Sequence, residues 1–134
     1  MALEAGLTYE KSYVVAQEML ASKIVHGTPD AFATAFLVAL IEHTCNDAVQ
    51  PLLQAGMGTV GTMMNLKHLA PTPLGMKVTA RAKLEAVDGR RLTFSVEIFD
   101  EVEKIGEALH ERFIIDKAKF ANRIQAKAGK IGQK

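Results

Sequence analysis

Apolar and polar positions alternate along most of the second half of this chain. Val60, Thr62, Met64, Leu66 and His68 share one face of an extended segment that stops at Ala70-Pro71-Thr72-Pro73-Leu74-Gly75. Val78, Ala80, Ala82, Leu84 and Ala86 then alternate with Thr79, Arg81, Lys83 and Glu85, the period of a half-buried strand. Asp88-Gly89 predicts a hairpin, after which Leu92, Phe94, Val96 and Ile98 alternate with Thr93, Ser95 and Glu97. A last, less regular strand is predicted over 105–115, with Gly106 as a candidate bulge. Near the N-terminus, residues 8–15 read as a first strand. Residues 16–30 are ambiguous: a short helix fits 17–25, and 26–30 is turn chemistry.

The stretch 31–53 has the length and Ala/Leu content of a helix. Its first half (Phe32, Phe36, Leu37, Val38, Leu40, Ile41) is apolar on every face, the pattern of a helix enclosed by other structure. Polar residues enter from Glu42 onward, and Pro51 with Gly56 marks its end. One strand, one long apolar helix and a four-strand meander predict an α+β fold. In it, an antiparallel β-sheet of about five strands wraps around one long buried α-helix.

Composition narrows the function classes. The 134 residues, 49% hydrophobic and 23% charged, suit a single domain over 1–120 followed by a basic, solvated tail over 121–134. A net charge of +1 argues against nucleic acid or an anionic membrane as partner. The apolar run 31–41 is too short to span a bilayer, and no signal peptide is visible at the N-terminus. Cys45, the lone cysteine, excludes an internal disulfide and a multi-Cys zinc site. Four histidines without close spacing do not support a metal site. A reduced, cytoplasmic protein is the expectation.

Within this layout the segment 32–42, with Thr34 and Glu42, resembles the Thr/Glu helix of the fluoroacetyl-CoA thioesterase family of hotdog proteins. Gly58-Thr59-Val60-Gly61-Thr62, then His68, then Thr72-Pro73-Leu74-Gly75, resembles that family's glycine, histidine and Thr-Pro-x-Gly strand and turn. Gly89-Arg90-Arg91-Leu92, and Ile105-Gly106 through His110-Glu111-Arg112, resemble its later strands, so the likeness covers about 31–120. Segment 16–30 departs from it: the aromatic that gates the pocket of the family's namesake is replaced near Thr28. The resemblance implies a hotdog fold and hydrolysis of a small acyl-CoA thioester, with no cofactor beyond the coenzyme A of the substrate.

The residues that could carry this chemistry each have an alternative reading. Glu42 either opens a solvated stripe with Asn46 or stands at a pocket edge as a base, its pKa raised by desolvation. Thr34 is either a helix N-cap or a nucleophile or water-positioning group. Eight residues of helix separate them by two turns, ~12 Å, too far for direct contact. Their cooperation would require either that Thr34 lies off the helix proper or that the partners come from two subunits, and the second argues for a site assembled at a dimer interface. His68 is either a satisfied core residue or, by the resemblance, the proton-transfer group. His26, His43 and His110 read as structural. Gly61 is a strand glycine or bulge, or by the resemblance a place where the thioester approaches the backbone.

Substrate-binding expectations follow: Gly61, the helix-start N–H groups of Ala35 and Phe36 as oxyanion donors, and Arg112. Lys67, Arg90, Arg91 and Arg112 are the cations available to coenzyme A phosphates. The reading is an acyl-CoA thioesterase with catalytic Thr34, Glu42 and His68, working as a homodimer or dimer of dimers. A non-catalytic acyl-CoA-binding module (a sensor) and a hotdog hydratase or dehydratase are the alternatives.

Overall fold

The structure, a computed structural model, describes residues 3–132. Five strands form one antiparallel sheet: β1 (Thr8–Val14), β2 (Met57–His68), β3 (Lys77–Asp88), β4 (Arg91–Phe99) and β5 (Lys104–Asp116). Their spatial order is β1-β3-β4-β5-β2. Helix α1 (Thr34–Val49) lies against one face of the sheet and touches β1, β2, β3 and β5. This is the expected hotdog arrangement, one sheet wrapped on one helix.

The alternation read from the sequence sets the core. Val78, Ala80, Ala82 and Leu84 on β3, and Leu92, Phe94, Val96 and Ile98 on β4, all bury toward α1 with exposures of 3% or less. From the helix, Leu37, Leu40, Ile41, Cys45 and Val49 meet them at 0% exposure. The expectation of a helix enclosed on every side is corrected at Phe36, Val38 and Ala39, which are only half-buried because this chain's sheet covers just part of the helix.

Local chemistry fixes the ends. Ala33 is extended, so α1 starts at Thr34, and Pro51, which has no N–H to continue the ladder, closes it through a 3₁₀ turn at Gln50–Leu52. Gly89 adopts φ +60° in the hairpin joining β3 to β4. Segment 16–30 holds two 3₁₀ turns (Gln17–Met19 and Ala21–Lys23) where one short helix was an alternative. The irregularity expected at Gly106 falls one residue earlier: Ile98 pairs with Gly106 and Phe99 with Lys104, leaving Ile105 extra. Beyond β5, the expected tail forms helix α2 (Lys117–Ala128), which has no buried residue. Among the described residues no helix is long and apolar enough to cross a membrane.

The two sheet edges differ in a way that matters for function. Edge strand β1 carries Glu10 and Lys11, charges that discourage another strand from pairing there. Among the described residues edge strand β2 pairs only with β5, and its stretch Met57 to Leu66 carries no charge.

Candidate active site

Thr34 is the first residue of α1, and its hydroxyl is not spent on capping the helix. It lies 2.8 Å from Nδ1 of His68, the last residue of β2. The His68 Nε2 is buried without a hydrogen-bond partner. Burial is the main cause that holds this imidazole below its ordinary pKa of 6.5, partly opposed by the nearby backbone of Ala70. The ring is therefore neutral at pH 7. In its Nε2–H form, Nδ1 accepts the Thr34 proton, which sets a hydroxyl against a base.

A second cluster is built around Glu42, one face of α1 further on. Arg112 on β5 donates from one terminal nitrogen to Glu42 Oε1 at 3.3 Å and to His110 Nε2 at 3.1 Å. Its Nε donates to Thr59 Oγ1 at 2.8 Å, and its other terminal nitrogen to the Thr59 carbonyl at 3.1 Å. Thr59 passes the chain on by donating to Asn46 Oδ1 at 2.7 Å. A guanidinium can only donate, so His110 Nε2 accepts. The Met63 carbonyl, 2.8 Å from His110 Nδ1, can only accept, so Nδ1 carries the proton. His110 is thus a neutral, doubly satisfied ring. Burial first, and the charge of Arg112 as well, hold its pKa below 6.5, against the opposing effects of Met63 and Glu42.

Gly61 explains why β2 can host this cluster. The register of β2 on β5 shifts between Gly61 and Met63, a bulge that leaves Thr62 unpaired. An ideal Cβ at Gly61 would stand 2.5 Å from Glu42 Oε1, 3.3 Å from His110 Cε1 and 3.4 Å from an Arg112 terminal nitrogen. The carboxylate occupies the space a side chain would take. The glycine expected to admit the substrate therefore first admits Glu42.

The structure sorts the predicted residues into two groups. Thr34 and His68 come together, as do Glu42, Gly61 and Arg112, while no hydrogen bond joins Thr34 to Glu42. Glu42 is not the desolvated carboxylate anticipated: its side chain is 45% exposed and paired with Arg112. Arg112, expected to touch substrate, is buried, and four of its five N–H donors are engaged by Glu42, His110 and Thr59. Of the two helix-start donors, Phe36 N–H is taken by the Ala33 carbonyl at 3.0 Å, which corrects that expectation; Ala35 N–H has no such partner among the described residues. Thr28 turns its hydroxyl onto the Val25 carbonyl at 2.7 Å, so it serves its own turn. Thr59, Asn46, Met63 and His110 were not anticipated as a network, because only the pairing of β2 with β5 brings them together.

Comparison with known proteins follows the same lines. The family described as fluoroacetyl-CoA-specific thioesterase matches residues 15–118. A fluoroacetyl-CoA thioesterase of Streptantibioticus cattleyicolor is 42% identical over 99 residues, which is 74% of this chain and 71% of that protein. A solved structure of a fluoroacetyl-CoA thioesterase superposes with TM-score 0.91 at 34% identity, covering 95% of this chain and 98% of that one. A crystal structure of a phenylalanine-to-alanine variant of the fluoroacetyl-CoA-specific thioesterase, in complex with fluoroacetate and CoA, gives TM-score 0.83 at 35% identity over 88% and 99% of the two chains. With the Thr34–His68 pair and the Glu42–Gly61 cluster on the shared fold, these likenesses establish that the chain belongs to the fluoroacetyl-CoA-specific thioesterase family.

Proposed function

We propose that this protein hydrolyses small acyl-CoA thioesters at an active site completed by a second copy of the chain. The observation that carries the reading is the Thr34–His68 pair at 2.8 Å, held apart from a carboxylate seated on Gly61. A hydroxyl against a neutral base, a carboxylate and a free N–H at a helix start are the groups that acyl transfer needs. The fluoroacetyl-CoA thioesterase relatives support an acyl-CoA as the substrate. Thr28, in place of the gating aromatic, gives no support to a preference for fluoroacyl groups. The lone, buried Cys45 suits a reducing, cytoplasmic setting.

The open edge of β2, uncharged from Met57 to Leu66, supports one geometry of assembly. A two-fold axis that pairs β2 antiparallel with its copy brings residue i opposite a fixed complement. Gly61 and His68 become opposite when the axis passes between Met64 and Asn65. Glu42 of one protomer then faces Thr34 and His68 of its partner. This removes the ~12 Å obstacle set by two turns of helix, covers the half-buried flank of α1, and gives two sites per dimer. Thr34, or a water held by it, attacks the thioester carbon while His68 takes the proton. The oxyanion lies at Ala35 N–H. The thiolate leaves with a proton from His68; where Thr34 is the nucleophile, Glu42 then activates the water that cleaves the acyl-threonine ester, and where water attacks directly, the acid is released in that same step.

Thiol release measured over short, branched, aromatic and long acyl-CoAs tests the activity, with short chains expected to turn over fastest. Binding without thiol release across that panel would make the protein a sensor. Mixing inactive Thr34→Ala with inactive Glu42→Gln tests the shared site. Half the dimers formed would be mixed, with one intact site of two, so about a quarter of wild-type activity should return. No recovery after subunit exchange would place the site within one chain.

A further inference from the structure

Helix α2 begins where β5 ends, and Asp116 caps it by accepting from Lys119 N at 3.1 Å. Between the first turns of α2 and the β3–β4 hairpin lies a cavity of about 170 Å³ lined by Arg90, Ile115, Asp116, Lys119, Phe120 and Arg123. Lys119 and Arg123 are four residues apart and share one helix face, and Arg90 lines the same cavity from the hairpin. None of these three cations has an ion-pair partner among the described residues. The single carboxylate of the lining, Asp116, accepts from Lys119 N and stands as one negative charge against three positive ones. With three exposed positive charges against one negative, the groove favours an anionic ligand. Half-buried Phe120, with Ile115, adds an apolar wall on which a planar ring can stack.

The distance to the reaction centre is informative. Gly61 pairs with Arg112, and Asp116 is four residues further along β5, ~13 Å at the rise of a strand. The pantetheine arm from sulfur to diphosphate has the backbone length of about four extended residues, ~14 Å. Lys117 lies over Gly58 between the two points: a Cβ at Gly58 would stand 2.9 Å from Lys117 Cε.

We propose that this groove holds the phosphorylated adenosine end of the coenzyme A thioester, with Arg90, Lys119 and Arg123 on the phosphates and Phe120 under the adenine. The assignment rests on the thioesterase reading, and it makes α2 the part of the chain that distinguishes a coenzyme A thioester from the same acyl group on a shorter thiol.

The test compares wild type with the double variant Lys119→Glu/Arg123→Glu, using one acyl group carried either by coenzyme A or by pantetheine, which lacks phosphates and nucleotide. For the coenzyme A thioester, KM should rise at least ~10-fold in the variant, with kcat within twofold. For the pantetheine thioester, both proteins should give the same KM. Adenosine 3′,5′-bisphosphate should inhibit wild type competitively and the variant much less; inorganic phosphate at equal ionic strength should not. Equal KM values for the two thioesters in wild type, or a rise in the variant that is the same for both, would overturn the assignment. If no thioester is hydrolysed at all, the thioesterase reading has failed, and calorimetric titration with the bisphosphate decides the groove: binding to wild type alone upholds it, and no binding to either refutes it.

Discussion

Gly61→Ala separates the design of the site from the stability of the fold. A methyl group at this position would stand 2.5 Å from Glu42 Oε1, whereas ordinary contact begins near 3.4 Å. The carboxylate must therefore retreat by about 0.9 Å, while His110 Cε1 and the Arg112 nitrogen, at 3.3 and 3.4 Å, need give little. Glu42 is the mobile party: its side chain is 45% exposed and is held by one 3.3 Å bond to Arg112. Gly61 is not among the positive-φ glycines, so alanine brings no backbone strain. Relief of glycine's excess unfolded-state entropy offsets the steric cost, and stability should stay within ~1 kcal/mol of wild type. Catalysis is different, because a displacement of ~1 Å in a reacting group costs on the order of 10²-fold in rate. Thiol release from the best acyl-CoA substrate, read with a chromogenic disulfide, should show kcat lower by about that factor, with a melting temperature within a few degrees of wild type. A kcat within threefold of wild type in a well-folded variant would mean that the position of Glu42 over Gly61 is irrelevant to the chemistry.

Other outcomes follow from the same geometry. Glu42→Gln should lower kcat by ~10² or more with little change in KM; near-normal turnover would reduce Glu42 to a solvated ion pair. Thr34→Ser should keep most activity. Thr34→Ala should lose far more kcat than the ~1 kcal/mol of stability attached to its hydrogen bond explains, as denaturant titration beside kinetics would show. His68 and His110 both have folded-state pKa values below 6.5. The stability they contribute is thus present above the unfolded value of 6.5 and is lost as pH falls from there through the folded values. Melting temperatures between pH 7 and 5 should decline, less steeply in His110→Gln, and a flat profile would contradict it. Activity should fall over the same acid range as His68 protonates and can no longer accept from Thr34. Light scattering at micromolar concentration should find at least a dimer, and a stable monomer with full activity would exclude the shared site.

Much of the layout was legible in the chain itself. The period-two patterns on β3 and β4 specify which face is buried, since a slip of one residue would turn Leu84 or Phe94 to water. The apolar run to Ile41 specifies the helix, but not which of its faces the sheet covers, since Phe36, Val38 and Ala39 stay half-buried. Spacing alone also showed that Thr34 and Glu42 cannot touch along one helix, which follows from helical rise and needs no tertiary information.

What the sequence could not supply were the relations that depend on register and on packing between distant segments. That Thr34 binds His68 rather than capping its helix depends on where the end of β2 passes the start of α1, residues 34 apart in the chain. Arg112 read as a ligand for substrate because it is one of the few cations available to coenzyme A phosphates. Only the pairing of Gly61 with Arg112 and the bulge beside it put that guanidinium underneath Glu42 and in line with His110 and Thr59. Similarly, the six basic residues from 117 onward read as a solvated end, because charge alone does not say that a helix will set Lys119 and Arg123 against Arg90 of a hairpin. Periodicity is a local property written residue by residue, whereas the meeting of two side chains is decided by the free energy of the whole packed arrangement.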